Sequence, residues 1–397
     1  MNAPSELVAS LDEIIQIRHD LHAHPELGYE EIRTADLIAD KLTQWGIPFH
    51  RGLGVTGIVA TLQSGDSRRS IGLRADMDAL PILEKNEFPH KSKNVGKMHG
   101  CGHDGHVAML LGAARHLAQH RDFDGIVHFI FQPAEEGNGA GARAMIKDGL
   151  FEKFPCDAVY GLHNWPGLPQ GSFAVRPGPL LASNNDFRIT VNGKGSHAAM
   201  PHLGNDPLFA ATQIVGALQS VVSRNKKPID TAVLSVTQFH GGTVSNVIPD
   251  NVWIGGTVRT FSTEVLDLVE SRMAQIAKSI AWAFDCTVDF EFSRNYPATV
   301  NSPAETATAL EIMRDLVGAD NVDDNIEPTM GAEDFAFMLQ EKPGCYALLG
   351  NGNGDHRAHG HGLGPCMLHN PSYDFNDGIL NTGMSYWVKL VQHCLAK

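Results

Sequence analysis

Between Leu7 and Trp45 apolar residues recur at helical spacing, and the pattern is interrupted once, in "HAHPELGYEE", where Pro25 and Gly28 break it. Two helices joined by a turn are predicted there. Short continuous apolar runs follow. "TGIVATL" (56–62) and "SIGLRADM" (70–77) predict strands, and "GHVAMLLGAARHLAQH" (105–120) predicts a helix. "GIVHFIFQPAEEG" and "DAVYGLHNWP" predict buried strands that end in polar loops. Strands that alternate with helices and finish in polar residues imply an α/β sheet whose site lies at the carboxyl ends of its strands.

After "GPLLASNN" the character changes. "DFRITVNGKGSHAAMP" reads as a strand pair, "DPLFAATQIVGALQSVVSR" as an amphipathic helix, "TAVLSVTQFHGG" and "NVWIGGTVRTF" as strands, "EVLDLVESRMAQIAKSIAWAF" as a helix and "CTVDFEFSRN" as a last strand. This βαββαβ order is a unit that can fold alone, so an inserted domain is expected over residues 185–294. Residues 1–184 and 295–397, where helix and strand alternation resumes, are expected to form the first domain. A length of 397 residues agrees with two domains, since a single core rarely grows past roughly 250–300 residues.

A formal charge of -14, with no Lys/Arg run longer than two, argues against a nucleic-acid-binding surface. The chain carries neither a basic-then-apolar leader nor a run of about 18 apolar residues, so no membrane association and a cytoplasmic location are expected. Its six cysteines are scattered without CxxC pairs, which predicts reduced thiols.

The chemistry concentrates in a few strand-end segments. "MHGCGHDGH" (98–106) packs a cysteine, three histidines and an aspartate among three glycines, and Cys101 and His103 have the i, i+2 spacing that turns both side chains to one side. "FQPAEEGNGAGA" delivers Glu135 and Glu136 after an almost wholly apolar strand. Such a dipeptide is usually a solvated surface pair, but its place at the end of a buried strand argues for a ligand beside a general base. "GLHNWP" places His163, and "MLHNPSYDFND" places His369, in similar positions.

From "RHDLHAHPELGYEE" through "GLRADMDALPI", "MHGCGHDGH", "FQPAEEG", "GLHNWP", "GSHAAMPH", "VSNVIPD", "GTVRTF" and "GAEDF" to "LHNPSYDFND", the chain resembles the M20 family of metallopeptidases. Within it the likeness is to the amidohydrolase branch of hippurate hydrolases, N-acyl-amino-acid amidohydrolases and auxin-conjugate hydrolases. The resemblance implies a zinc-aminopeptidase-like catalytic domain with an inserted, ferredoxin-like dimerisation or lid domain, and a homodimer formed through that insertion. It also implies two divalent metal ions per subunit, zinc or manganese with cobalt or nickel as alternatives, held by Cys101, His103, Glu136, His163 and His369, with Cys101 as bridge. Asp76 stands where other branches have a histidine ligand, and Asp78 is implied to orient a ligand histidine. Glu135 corresponds to the general base acting on a metal-bound water. On the insertion, His197 is implied to polarise the scissile carbonyl or its oxyanion, and Asn246 and Arg259, with His240 nearby in sequence to Asn246, to bind substrate. The activity so implied is hydrolysis of small N-acyl amino acids. An aminopeptidase or dipeptidase would need an anionic pocket for a free α-amine, and a purely structural metal site would have no use for the Glu135 base.

Overall fold

Four largely apolar runs, Gly125–Gln132, Ser70–Asp76, Ala158–Pro166 and Gly344–Gly352, lie side by side in that order as the parallel centre of an eight-stranded sheet in a computed structural model describing residues 5–357 and 360–397. Their residues are buried almost throughout, as expected of strands covered on both faces. Gly57–Ser64 adds antiparallel to Gly125–Gln132, followed by Phe49–Leu53; Phe173–Ala174 and Val322–Asp323 extend the other edge. The four parallel strands run the same way, so their carboxyl ends open on one rim, which receives Asp76, Gln132 and His163.

Helices Ser5–Ala23, His103–Gln119 and Leu380–Cys394 pack on one another. The middle one is buried without a break from His103 to Ala114, the mark of a helix enclosed by its neighbours rather than laid on a surface. Ile32–Gln44 is amphipathic instead, burying Ala35, Ile38, Ala39 and Leu42. Strand Phe49–Leu53 escapes the sequence pattern because only Leu53 of its five residues is buried.

Chain contacts set Leu181–Thr299 apart as a second unit. Its strands Asn184–Asn192, Ala232–Gly241, Asn251–Thr260 and Thr287–Tyr296 form an antiparallel sheet in which the first and third are central. With helices Pro207–Ser220 and Thr263–Ala283 this is a ferredoxin-like βαββαβ fold. Phe187, Ile189 and Val191 alternate inward along the first strand and join Ile214, Ile254, Val269 and Met273 in one core. Both helices start on caps: Asp206 accepts from the Leu208 and Phe209 amides, Ser262 from that of Val265. The unit's limits differ from the expected 185 and 294. A hexapeptide far along the chain, Pro328–Glu333, also belongs to it, because the Ala182 amide bonds the carbonyls of Thr329 and Gly331. Such pairing leaves no periodicity to read. Among the described residues no helix is long and apolar enough to cross a membrane.

Gly102, at φ +93°, lets the chain turn into helix His103–Gln119; a Cβ there would lie 2.3 Å from Asn164 Oδ1 and 2.5 Å from Tyr373 Oη. Gly102→Ala is expected to lose more than about 1 kcal/mol from backbone conformation alone, before any clash is counted. Thermal denaturation with an unchanged midpoint would show that the loop relaxes instead.

Candidate active site

Each candidate side chain is carried to the sheet rim by a strand end or by a loop folded over it. Asp76 closes its strand, and Asp78 follows two residues later. Ser70–Asp76 and Gly125–Gln132 pair up to their last residues, Asp76 with Gln132, so the loop with Glu135 and Glu136 leaves beside Asp78. That loop turns through three non-glycine residues of positive φ, Ala134 (+49°), Asn138 (+64°) and Ala140 (+53°). His369 also has positive φ (+61°), its amide donating to the Gly100 carbonyl at 2.8 Å. Backbones of this kind cost of order 1–3 kcal/mol each and persist where surrounding contacts over-determine them.

The five expected ligands and the expected base converge. Cys101 Sγ lies 3.4 Å from His163 Nε2, and His369 Nε2 lies 3.1 Å from Glu136 Oε1. Cys101, Glu136 and His369 offer donor atoms within 4.8 Å of one another, as do His103, Glu135 and Glu136. His103 and His163 form a third such group with Asp76 and His106. All are buried or nearly so except His369, whose side chain is 54% exposed.

A cation fits this arrangement. Asp78 fixes His103 by accepting from Nδ1 with its carbonyl (2.9 Å) and its carboxylate (3.2 Å), leaving Nε2 buried without a hydrogen-bond partner. Burial should strip a proton from His103, yet Asp76, Asp78 and Glu136 push its pKa up to about 10: the surroundings demand positive charge at this point. His163, buried beside His106, is held well below the usual histidine range and is neutral, as a metal ligand must be. Burial raises the Glu136 carboxyl, but the His369 hydrogen bond and the charge of His103 outweigh it and keep the group ionised. The set of thiolate, imidazole and carboxylate suits borderline divalent metals.

Around these residues lies a layer that sequence reasoning missed. The two oxygens of Asp76 are taken by Arg74 (2.7 Å) and His106 (2.6 Å), while Arg74 also reaches Gln132 (2.8 Å) and Asp334 (3.1 Å). Asp76 thus stands engaged on both sides and 3.6 Å from His103 Nε2. His106 Nε2 meets Asn164, whose amide nitrogen donates to Tyr373 Oη at 2.5 Å. A second buried set, Arg18, His22, Glu84 and Asp104, lies behind the histidine loop, with His22 2.8 Å from Asp104 and its pKa raised, against burial, to about 9 by Asp104. One signal was available: Arg74, a cation in an otherwise apolar run that proves buried, requires buried acceptors.

The inserted unit divides its own candidates. Val247 pairs with His197, and the Ala198 amide donates to the Asn246 carbonyl at 3.0 Å, so His197 and Asn246 are neighbours and both are exposed. Arg259 pairs with Val233, whereas His240 pairs with Trp253 and stacks on it with ring centroids 4.2 Å apart. Seven residues of strand separate Val233 from His240, roughly 20 Å at 3.3 Å per residue. Within one chain Arg259 and His240 thus lie towards opposite ends of this strand pair.

Residues 72–393 match the family model for peptidase family M20/M25/M40. The chain is 42% identical to a hippurate hydrolase of Campylobacter jejuni over 98% of both proteins, and 40% identical to an N-acetyl-L-cysteine deacetylase of Bacillus subtilis over 90% of this chain and 84% of that protein. Among solved structures, the Bacillus subtilis YXEP protein, described as a dinuclear metal binding peptidase from the M20 family, superposes with a TM-score of 0.84 at 33% identity, covering 98% of this chain and 99% of that one. A strand-rim cluster of cysteine, histidine and carboxylate together with these likenesses over the whole length leads to one conclusion: the chain belongs to peptidase family M20/M25/M40, in its amidohydrolase branch, and is a hydrolase of amide bonds.

Proposed function

We propose that the protein hydrolyses the amide bond of small N-acyl amino acids, releasing a carboxylic acid and the free amino acid. The observation that carries this reading is that two adjacent carboxylates enter one cluster with different neighbours: Glu136 stands within donor-atom reach of Cys101 and His369, while Glu135, 7% exposed, stands within reach of His103 and Glu136. One belongs with the ligands, and the other stands beside them as the proton acceptor.

In this reading Cys101, His103, Glu136, His163 and His369 would hold two divalent ions, zinc or manganese. Bound there, such ions supply Lewis acidity to the acyl carbonyl and make water acidic enough to attack at neutral pH. Glu135 accepts the proton of the attacking water and returns it to the leaving nitrogen, which departs as a neutral amine. No acyl-enzyme is required. His197 donates to the acyl oxygen as it gains charge, and Asn246 and Arg259 receive the substrate carboxylate. Burial lowers the pKa of Arg259, yet it remains a cation at any pH at which the enzyme works. His240, stacked on Trp253, is the third substrate contact in this reading. A two-fold dimer through the inserted unit would cover one of the sheet's two edge strands, such as Ala232–Gly241, which exposes Phe239.

Glu135→Gln is expected to keep its metal and its fold while kcat falls about 10²- to 10⁴-fold, because the amide cannot accept the proton; near-normal kcat would remove Glu135 from the base role. Cys101→Ser and His103→Ala should instead lose metal and activity together, and elemental analysis at full occupancy in both would overturn their assignment. His197→Ala should lower kcat more than it weakens metal binding, whereas a change confined to KM would make His197 an ordinary substrate contact. For the assembly, light scattering is expected to give twice the 43.0 kDa chain mass; an active species of single-chain mass contradicts the dimer.

A further inference from the structure

The turn "PELGYEE" (25–31) follows the first helix and has no part in the chemistry described so far, yet its residues lie against the loop that carries Glu135 and Glu136. Gly28 packs so closely that a Cβ would lie 3.0 Å from the Cβ of Ala134. Tyr29 donates its hydroxyl to the Gly139 carbonyl at 2.6 Å. Glu31, fully buried, spends both carboxyl oxygens locally: Oε1 accepts the Ala134 amide at 2.8 Å and Oε2 accepts the Thr56 hydroxyl at 2.7 Å.

Ala134 immediately precedes the two functional carboxylates and sits in the left-handed region at φ +49°, which alanine adopts only when held. Its carbonyl is held by the Gly141 amide at 3.0 Å, closing the loop on itself, and its amide is held by Glu31 from outside. Two residues on, the Glu136 amide is taken by Asp78 at 2.9 Å. The carboxylate pair is thus hung from two buried carboxyl groups, one on each side of Glu135.

We infer that Glu31 is a positioning residue for the hydrolytic site, fixing through the Ala134 amide the turn that aims Glu135 at water and Glu136 at metal. The inference rests on the roles proposed for those two residues. Either protonation state of Glu31 serves: ionised, it accepts from both partners; protonated, it accepts from Ala134 and donates to the Thr56 oxygen, which can act as an acceptor. Burial pushes its pKa up, the Thr56 hydrogen bond opposing and the charge of Asp78 adding to the rise, to about 7, so both forms occur near neutrality. Glutamine reproduces the protonated form, and methionine fills the same space without accepting a hydrogen bond.

The test compares Glu31→Met and Glu31→Gln with the parent enzyme, each checked for folding by thermal denaturation. Two readouts are taken: affinity for added zinc or manganese in the metal-stripped protein, and kcat and KM on an N-acyl amino acid at saturating metal. Glu31→Met is expected to weaken metal binding and to lower kcat, each by at least about tenfold, with KM within about twofold, and Glu31→Gln to recover both to within about threefold. A folded methionine variant with parental affinity and kcat overturns the inference, and so does a folded glutamine variant as impaired as methionine. Should methionine fail to fold, the glutamine variant decides alone. Glu135→Gln run alongside separates the two proposals: if it is inactive while Glu31→Met is normal, only the inference about Glu31 fails; if it is active, the base assignment fails first.

Discussion

One buried carboxylate, Asp78, ties together the two halves of the site. Its Oδ1 and carbonyl hold the His103 ring at 3.2 and 2.9 Å, and its Oδ2 holds the Glu136 amide at 2.9 Å. His103 begins a helix and Glu136 lies in the loop after a strand, so a single side chain sets the separation of two candidate ligands from different elements. Asp78 can do this because it follows the central strand Ser70–Asp76, whose register against Gly125–Gln132 is fixed by pairing along its whole length. A shift of one residue would turn every side chain of that strand to the opposite face.

The cluster also has to tolerate its own charge. Asp76, Asp78, Glu135, Glu136 and Asp334 stand on the same rim, and buried ions are costly unless paired. Part of the balance is permanent: Arg74 serves Asp76 and Asp334, and Arg18 with His22 serves Asp104. The remainder is left for exchangeable positive charge, since the carboxylates around His103 hold a proton there up to about 10. A fold that neutralised every carboxylate with fixed cations would have no affinity for metal.

Of the seven non-glycine residues with positive φ among the described residues, four fall at the site, while Tyr29, Val55 and Asp285 lie elsewhere. Ala134, Asn138, Ala140 and His369 all have positive φ and all lie in the two loops that bear Glu135, Glu136 and His369. Glycine would adopt these conformations more cheaply but would fix them less firmly. Their neighbours supply the restraint: Glu31 for Ala134, and the Gly100 carbonyl for the His369 amide.

Much of this was legible in the chain alone. Helical spacing before Pro25, apolar strands ending in polar residues, and the βαββαβ order of the insertion are local patterns, repeated every two to four residues, and they specify the elements and the fold class. The strand-end location of Glu135, Glu136 and His163 is local as well, because the chemistry and the end of the apolar run adjoin in sequence, whereas Cys101 and His103 stand in the loop and first turn that open a helix. Tertiary structure alone decided which residues brace them. Glu31 meets Ala134 across 103 positions and Arg74 meets Asp334 across 260, and a buried carboxyl in a short polar turn looks like any solvated glutamate until its partner is known. Pro328–Glu333 joins the inserted unit for the same reason. Side-chain periodicity records which face of an element is buried; it carries no record of the distant amide that a carboxylate will find there.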